Sequence, residues 1–301
     1  VQSGLSWYVY TLKRLLLMKK TTLLINCPDQ KGLIATVTNF ILEKEGNTIY
    51  VEQHVDHALK EFFMRLECEF DSDEKKLARF KESFNTNVAA HHQMHWEMYD
   101  TDKKPKMAIF VSKYEHCLYD ILGRYASGEL HVKIPIIISN HADLKPIADA
   151  FNVPFKHIPV TKGNKVEAER EQISVLEEHK IDFIVLARYM QILSSDFVDR
   201  YPNKIINIHH SFLPAFPGAK PYHSAYERGV KIIGATSHYV TSDLDEGPII
   251  EQEIVRVSHI HNVQDFILKG RDLEKIVLSR AIKHHIQHKV LVYNNKTVIF
   301  S

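Results

Sequence analysis

The chain has 301 residues, 45% hydrophobic and 25% charged, with 38 Lys+Arg against 37 Asp+Glu, a globular composition that excludes disorder as the main state. No apolar run approaches the roughly 20 residues of a membrane-spanning helix, and a formal net charge of +1 provides no cationic field for a polyanion, so neither a membrane nor nucleic acid is expected as a partner. At this length one core usually stops growing, and two domains are expected.

Cys27, Cys68 and Cys117 are scattered and form no CxxC pair, which argues against a disulfide framework and a Cys-based zinc site and fits a reducing, cytoplasmic setting. In residues 1–17, Lys13 and Arg14 are followed only by Leu15 to Leu17, too little for a secretory signal. Patterned sequence begins after Met18, and 1–17 are read as a non-native or disordered extension.

From Thr21 a β-rich run leads to the loop Pro28-Asp29-Gln30-Lys31-Gly32, and Ile34, Val37 and Ile41 then fall at helical spacing. After Gly46-Asn47 a strand carries Ile49, Val51 and Val55 on one face. In a third, Phe62, Met64, Leu66, Cys68 and Phe70 alternate with charged residues. Leu77, Phe80 and Phe84 return to helical spacing, and Met94, Trp96 and Met98 alternate again. The order β-α-β-β-α-β predicts a ferredoxin-like α+β domain over 18–99.

The polar stretch 100–105 reads as a linker to a second domain over 106–301. There Lys106 to Val111, Ile134 to Ser139, Phe155 to Ile158, Phe183 to Ala187 and Lys204 to Ile208 read as short buried strands. Helices over Leu118 to Tyr125, Leu144 to Phe151 and Val166 to His179 separate several of them. Strands alternating with helices predict an α/β, doubly wound, mostly parallel sheet whose chemistry sits beyond the carboxyl ends of its strands. Period-two alternation puts Asn207 and His209 on one face where such a strand ends, and Asp245 lies in a tight acidic loop between two later strands. A helix over Asp272 to His285, led by Gly270, and a closing hairpin complete the chain. Among 19 histidines, His284 and His288 share a helical face, but no HExxH-type acid accompanies them and no metal site is expected.

Three runs taken together are more specific. Asn207-Ile-His-His-Ser-Phe-Leu-Pro with Gly218 beyond, Gly234-Ala-Thr-Ser-His-Tyr-Val, and Asp243-Leu-Asp-Glu-Gly-Pro-Ile-Ile resemble the folate-dependent formyltransferase fold in spacing and identity. Carried over, the resemblance implies Asn207, His209 and Asp245 as catalytic amide, imidazole and carboxylate. It also implies Met190, Gln191, Ile192 and Leu193 as part of the folate pocket. The start of the first domain, Cys27-Pro-Asp-Gln-Lys-Gly-Leu-Ile with Glu45-Gly-Asn before its second strand, resembles ACT regulatory domains. Asp29, Gly32 and Asn47 are then candidates for an amino-acid effector such as glycine or methionine, although they equally suit a turn and helix cap. ACT-like sheets also pair across chains, implying a homo-oligomer.

Formyltransferases acting on glycinamide ribonucleotide hold the acceptor's phosphate on a Gly-rich loop after the first strand of this fold. Here that place reads Ser112-Lys-Tyr-Glu-His-Cys-Leu118, without glycine and with a glutamate. Water is then the expected nucleophile. The fusion of the two domains resembles the formyltetrahydrofolate deformylases, which implies hydrolysis of 10-formyltetrahydrofolate to formate and tetrahydrofolate, a supply of formate for purine synthesis, and no cofactor. Formyl transfer to an amine and a non-catalytic folate or amino-acid sensor remain the alternatives.

Overall fold

The computed structural model describes residues 18–71, 74–215 and 221–301; the expectation for 1–17, and Gly218 of the first motif, lie outside these. The chain divides into a unit ending at Lys103 that also takes Phe300 and Ser301, and a second unit from Lys104 to Ile299.

In the first unit, strands β1 (Met18–Pro28), β2 (Asn47–Asp56), β3 (Glu61–Asp71) and β4 (His95–Asp100) form an antiparallel sheet in the order β2-β3-β1-β4. Helices α1 (Leu33–Glu43) and α2 (Glu74–Phe84) provide the apolar residues that pack on it. The packed face is the set that alternation predicts: Leu23, Ile25 and Cys27 from β1 and Phe62, Met64, Leu66, Cys68 and Phe70 from β3, against Val37, Phe40, Ile41, Phe80 and Phe84. Two features differ from the sequence expectation. The pairing of β2 is irregular between Thr48 and Tyr50, and this edge strand leaves Ile49 and Val51 exposed. A π-helical turn, Asn85–Ala89, follows α2 and buries Val88 and Ala89.

The second unit is built on a seven-stranded sheet in the order β11-β10-β9-β8-β5-β6-β7. Its strands are β5 (Lys106–Val111), β6 (Lys133–Ser139), β7 (Phe155–His157), β8 (Phe183–Leu186), β9 (Ile205–His209), β10 (Ile232–Tyr239) and β11 (Ile249–Arg256). Strands β5 to β9 are parallel, whereas β10 and β11 are added antiparallel. Along β5, Met107, Ile109 and Val111 enter one buried cluster and Ala108 and Phe110 the other. Both faces are therefore covered, which is why these strands read as continuous apolar runs.

The helices are α3 (His116–Ala126), α4 (Lys145–Ala150), α5 (Lys165–His179), a single turn α6 (Ser195–Val198), α7 (Pro221–Arg228) and α8 (Val263–Ile286). Helix α8 starts well before the sequence expectation. Asn262 and Asp265 form a reciprocal capping box, and Gly270 lies inside the helix because a Cβ there would stand 2.2 Å from the Tyr222 hydroxyl. Strands β12 (Val290–Tyr293) and β13 (Lys296–Ile299) form the closing hairpin.

Candidate active site

Strand β9 delivers the first two groups. Asn207 and His209 share a face, paired across to His238 and Thr236 of β10. The third group, Asp245, comes from the loop joining β10 to β11. That loop is folded tightly onto β10: the Tyr239 N–H donates to the Pro248 carbonyl at 2.9 Å, and a Cβ on Gly247 would stand 1.8 Å from the Tyr239 carbonyl oxygen. Only glycine permits this approach. Asp245 itself has a left-handed φ of 58°, uncommon for a side-chain-bearing residue, and Asn295 in the closing hairpin donates to the Glu246 carbonyl at 2.9 Å.

The three predicted groups converge. His209 Nδ1 lies 3.1 Å from Asp245 Oδ2, and Asn207 Nδ2 lies 3.2 Å from His238 Nε2. His238, 2% exposed, donates from Nδ1 to the Tyr239 carbonyl at 2.9 Å, which leaves Nε2 to accept the Asn207 amide. His238 Nε2 also stands 3.6 Å from Asp245 Oδ1, beyond a direct hydrogen bond. His209 Nε2 is buried without a hydrogen-bond partner among the described residues. Burial alone would raise the Asp245 carboxyl, but the hydrogen bond and charge of His209, with the His238 ring beside the other oxygen, outweigh it and hold the group well below the usual carboxylate range.

Two supporting residues were not singled out from the sequence. His238 is one; Thr236 is the other. Fully buried, Thr236 Oγ1 donates to the Ser211 carbonyl at 2.9 Å and accepts from Leu213 N–H at 3.0 Å and Gln252 Nε2 at 2.9 Å, pinning the chain after β9 against β10. Both lie in the Gly-Ala-Thr-x-His run, and the alternation that places Asn207 and His209 together also places their partners on β10 together.

The segment Met190 to Leu193 follows β8, the strand beside β9 in which Leu186 pairs with Asn207. It is held at both ends. Met190 N–H donates to Ser112 Oγ at 3.0 Å, and Ser194 donates from both its N–H, at 2.9 Å, and its hydroxyl to the buried Glu169 carboxylate. Between these anchors Met190 and Ile192 are exposed apolar side chains, 46% and 61%, while Leu193 packs partly into the core.

In the first unit Asp29 and Gly32 border a cavity of about 490 Å³ lined also by Gln30, Leu33, Gln53, Val55 and Phe62. Gly32 is the N-cap of α1 with φ 89° and no side-chain cap. Asn47 does not join them. It pairs with Glu69, whereas Val55 pairs with Phe62 and Pro28 with Glu61, so antiparallel register puts Asn47 at the far end of β3 and brings Gln53 and Val55 to the loop instead.

Three further histidines have partners. His284 Nε2 lies 3.5 Å from Glu251, His285 Nδ1 meets the Tyr239 hydroxyl at 2.8 Å, and His261 Nδ1 accepts from Ser258 N–H at 3.0 Å. Cys27, Cys68 and Cys117 are buried and free. Among the described residues no helix is long and apolar enough to cross a membrane.

A parallel-centred α/β sheet with Asn, His and Asp gathered at the carboxyl end of β9 defines a formyl transferase class of domain, and a family model described as formyl transferase matches residues 105–282. The comparison extends over both units. A formyltetrahydrofolate deformylase of Synechocystis sp. is 52% identical over 93% of this chain and 98% of its own, and one of Bacillus subtilis is 45% identical over 94% of each. The crystal structure of a formyltetrahydrofolate deformylase from Pseudomonas syringae superposes with a TM-score of 0.90 at 42% identity, covering 98% of this chain and 99% of that one. The chain belongs to the formyltetrahydrofolate deformylase family, hydrolases acting on a C–N bond.

Proposed function

We propose that Asn207, His209 and Asp245 carry out the family's reaction here, hydrolysis of 10-formyltetrahydrofolate to formate and tetrahydrofolate. The observation that carries the site assignment is the buried, unpartnered His209 Nε2 on a ring whose Nδ1 is engaged by an ionised Asp245. The carboxylate balances an imidazolium, which then offers an N–H at Nε2. That N–H and the Asn207 amide donate to the formyl oxygen as it becomes an oxyanion. Asp245 orients the attacking water and takes its proton. The water oxygen bonds to the formyl carbon, the bond to N10 breaks, and the proton passes to N10. No metal ion or cofactor enters the scheme.

Met190 to Leu193 form part of the pterin pocket through exposed apolar contacts and the backbone groups that their two anchors hold in place. Release of formate by the purified full chain with no acceptor present tests the activity; formation of tetrahydrofolate only when an amine is added counts against it.

The first unit is read as a sensor of a small amino acid such as glycine or methionine. The cavity beside Gly32 adjoins the start of α1, whose free N–H groups suit a carboxylate. The exposed apolar edge strand β2 supports a homo-oligomer in which sheets pair. Three free, buried thiols agree with work in the reducing cytoplasm.

A further inference from the structure

In the second unit the connections leave β5 toward β6 on one side and return through β8 on the other. The crevice between the carboxyl ends of β5 and β8 is therefore the topological switch point, the place where open α/β sheets receive ligands. In this chain it is filled with side chains. Glu274 of α8, 1% exposed, accepts hydrogen bonds from His116 Nε2 at 2.8 Å and from the Tyr222 hydroxyl at 2.8 Å. Arg188 Nε stands 3.4 Å from the same carboxylate.

Arg188 emerges two residues beyond the Leu186–Asn207 pair, as His209 does on its own strand. Its backbone is left-handed, φ 62°, and the ring of Tyr114 lies 4.8 Å over its guanidinium. Ser112 Oγ draws the two loops together, donating to Asn140 Oδ1 at 2.6 Å and accepting from Met190 N–H. The cluster also adjoins the catalytic groups, because His210 lies 5.9 Å from the Tyr222 ring and 5.3 Å from the His209 ring, centroid to centroid.

A buried carboxylate with its counter-charges gives little stability over an apolar filling, and here His116 Nδ1 and Arg188 Nε are buried without hydrogen bonds. A function beyond packing accounts better for it. We propose that Glu274, His116, Arg188 and Tyr222 plug the switch-point crevice, so that an amine is kept from the formyl carbon and only water reaches it. This rests on the assignment of Asn207, His209 and Asp245 as the groups around that carbon. The four are specificity-determining residues and touch no reactant.

The test offers the full chain 10-formyltetrahydrofolate together with glycinamide, a small primary amine, and measures formate and N-formylglycinamide in the same sample. In transfer, the amine nitrogen bonds to the formyl carbon, the bond to N10 breaks and an amine proton ends on N10. Wild type is expected to give formate, with N-formylglycinamide at the rate without enzyme. The double variant Arg188→Gly, Glu274→Gln keeps the left-handed backbone comfortable and the carboxylate's shape, and should raise the ratio of amide to formate by at least about tenfold, the size of one lost discriminating contact. Tyr114→Ala, at an exposed ring, should shift the ratio in the same direction if the double variant fails to fold. A merely structural role would lower both products together and leave their ratio alone. Enzymatic formylation of glycinamide by wild type, or an unchanged ratio in the folded variants, overturns the proposal. Failure of the catalytic assignment is read separately, as wild-type formate release by Asp245→Asn.

Discussion

His209 Nδ1 lies 3.1 Å from Asp245 Oδ2, while Nε2 of the same ring is buried and carries no protein partner among the described residues. In the proposed mechanism one nitrogen is held and the other is kept for the substrate. In that mechanism Asp245→Asn preserves the shape of this contact but removes the carboxylate's charge beside His209 and the base that takes the water proton. Turnover should fall by about 10²–10⁴-fold, as general acid–base groups typically contribute, with folate-analogue binding by calorimetry retained. Because the carboxyl is held low, wild type should show no acid limb from Asp245 at the usual carboxylate range in its pH–rate profile.

Gly247 sets where that carboxylate points. A methyl group there would overlap the Tyr239 carbonyl, so Gly247→Ala must push the Asp245 loop off β10. A displacement of about 1 Å at a catalytic group can cost about 10²-fold. Formate release should drop by that order, and a crystal structure of the variant should show the loop moved while β9 stays in place.

Ile192 separates pocket from packing. A residue 61% exposed contributes little to the core, so Ile192→Asp should change stability by no more than about 0.5 kcal/mol. If the side chain meets the pterin, KM for 10-formyltetrahydrofolate should rise several-fold with the urea midpoint unmoved. An unchanged KM would take Ile192 out of the pocket.

His285 gives the second unit a sensitivity to acid. Its ring is half-buried beside Tyr239 and Phe183, and desolvation there pushes its pKa down from 6.5 to about 3. Between those values the unfolded chain binds a proton that the folded chain refuses, so stability is complete above about 6.5 and is lost as pH falls toward 3. The slope is about 1.4 kcal/mol per pH unit for this one proton. Urea unfolding from pH 7 to 4 should show the decline, and His285→Gln should flatten it at the cost of some stability at neutral pH.

Strand alternation made Asn207 and His209 legible as a pair, because period two is local and both lie on β9. Asp245 was reached only through its motif, since a loop's aim depends on a close approach to β10 that no periodicity records. Asn47 shows the limit for sheets: a turn can be read from sequence, but which end of the neighbouring strand it faces depends on register, and here it pairs with Glu69, away from Gly32. The Glu274 cluster was invisible for a similar reason. Its members come from the start of α3, the β8–α6 loop, α7 and α8, and each alone resembles a surface charge or a core aromatic. Gly270 looked like a helix boundary because the partner that requires it, Tyr222, is distant in sequence.

The cavity beside Gly32 carries the last prediction. Its volume of about 490 Å³ falls within the range of small-ligand sites, and Gln53 on β2 supplies a polar side chain opposite the start of α1. A ligand that binds one conformational or assembly state better than another can shift activity, and coupling of about 1–3 kcal/mol gives several-fold effects. Screening the standard amino acids by calorimetry and by formate release should identify one that binds and changes the rate or the apparent folate affinity. Gln53→Leu should weaken that amino acid while sparing activity in its absence, because the residue lies in the first unit. Asn47→Ala should leave the response unchanged, since Asn47 lies at the other end of the sheet. If no amino acid at millimolar concentration binds or alters turnover, the first unit is an assembly module and the sensing role is wrong.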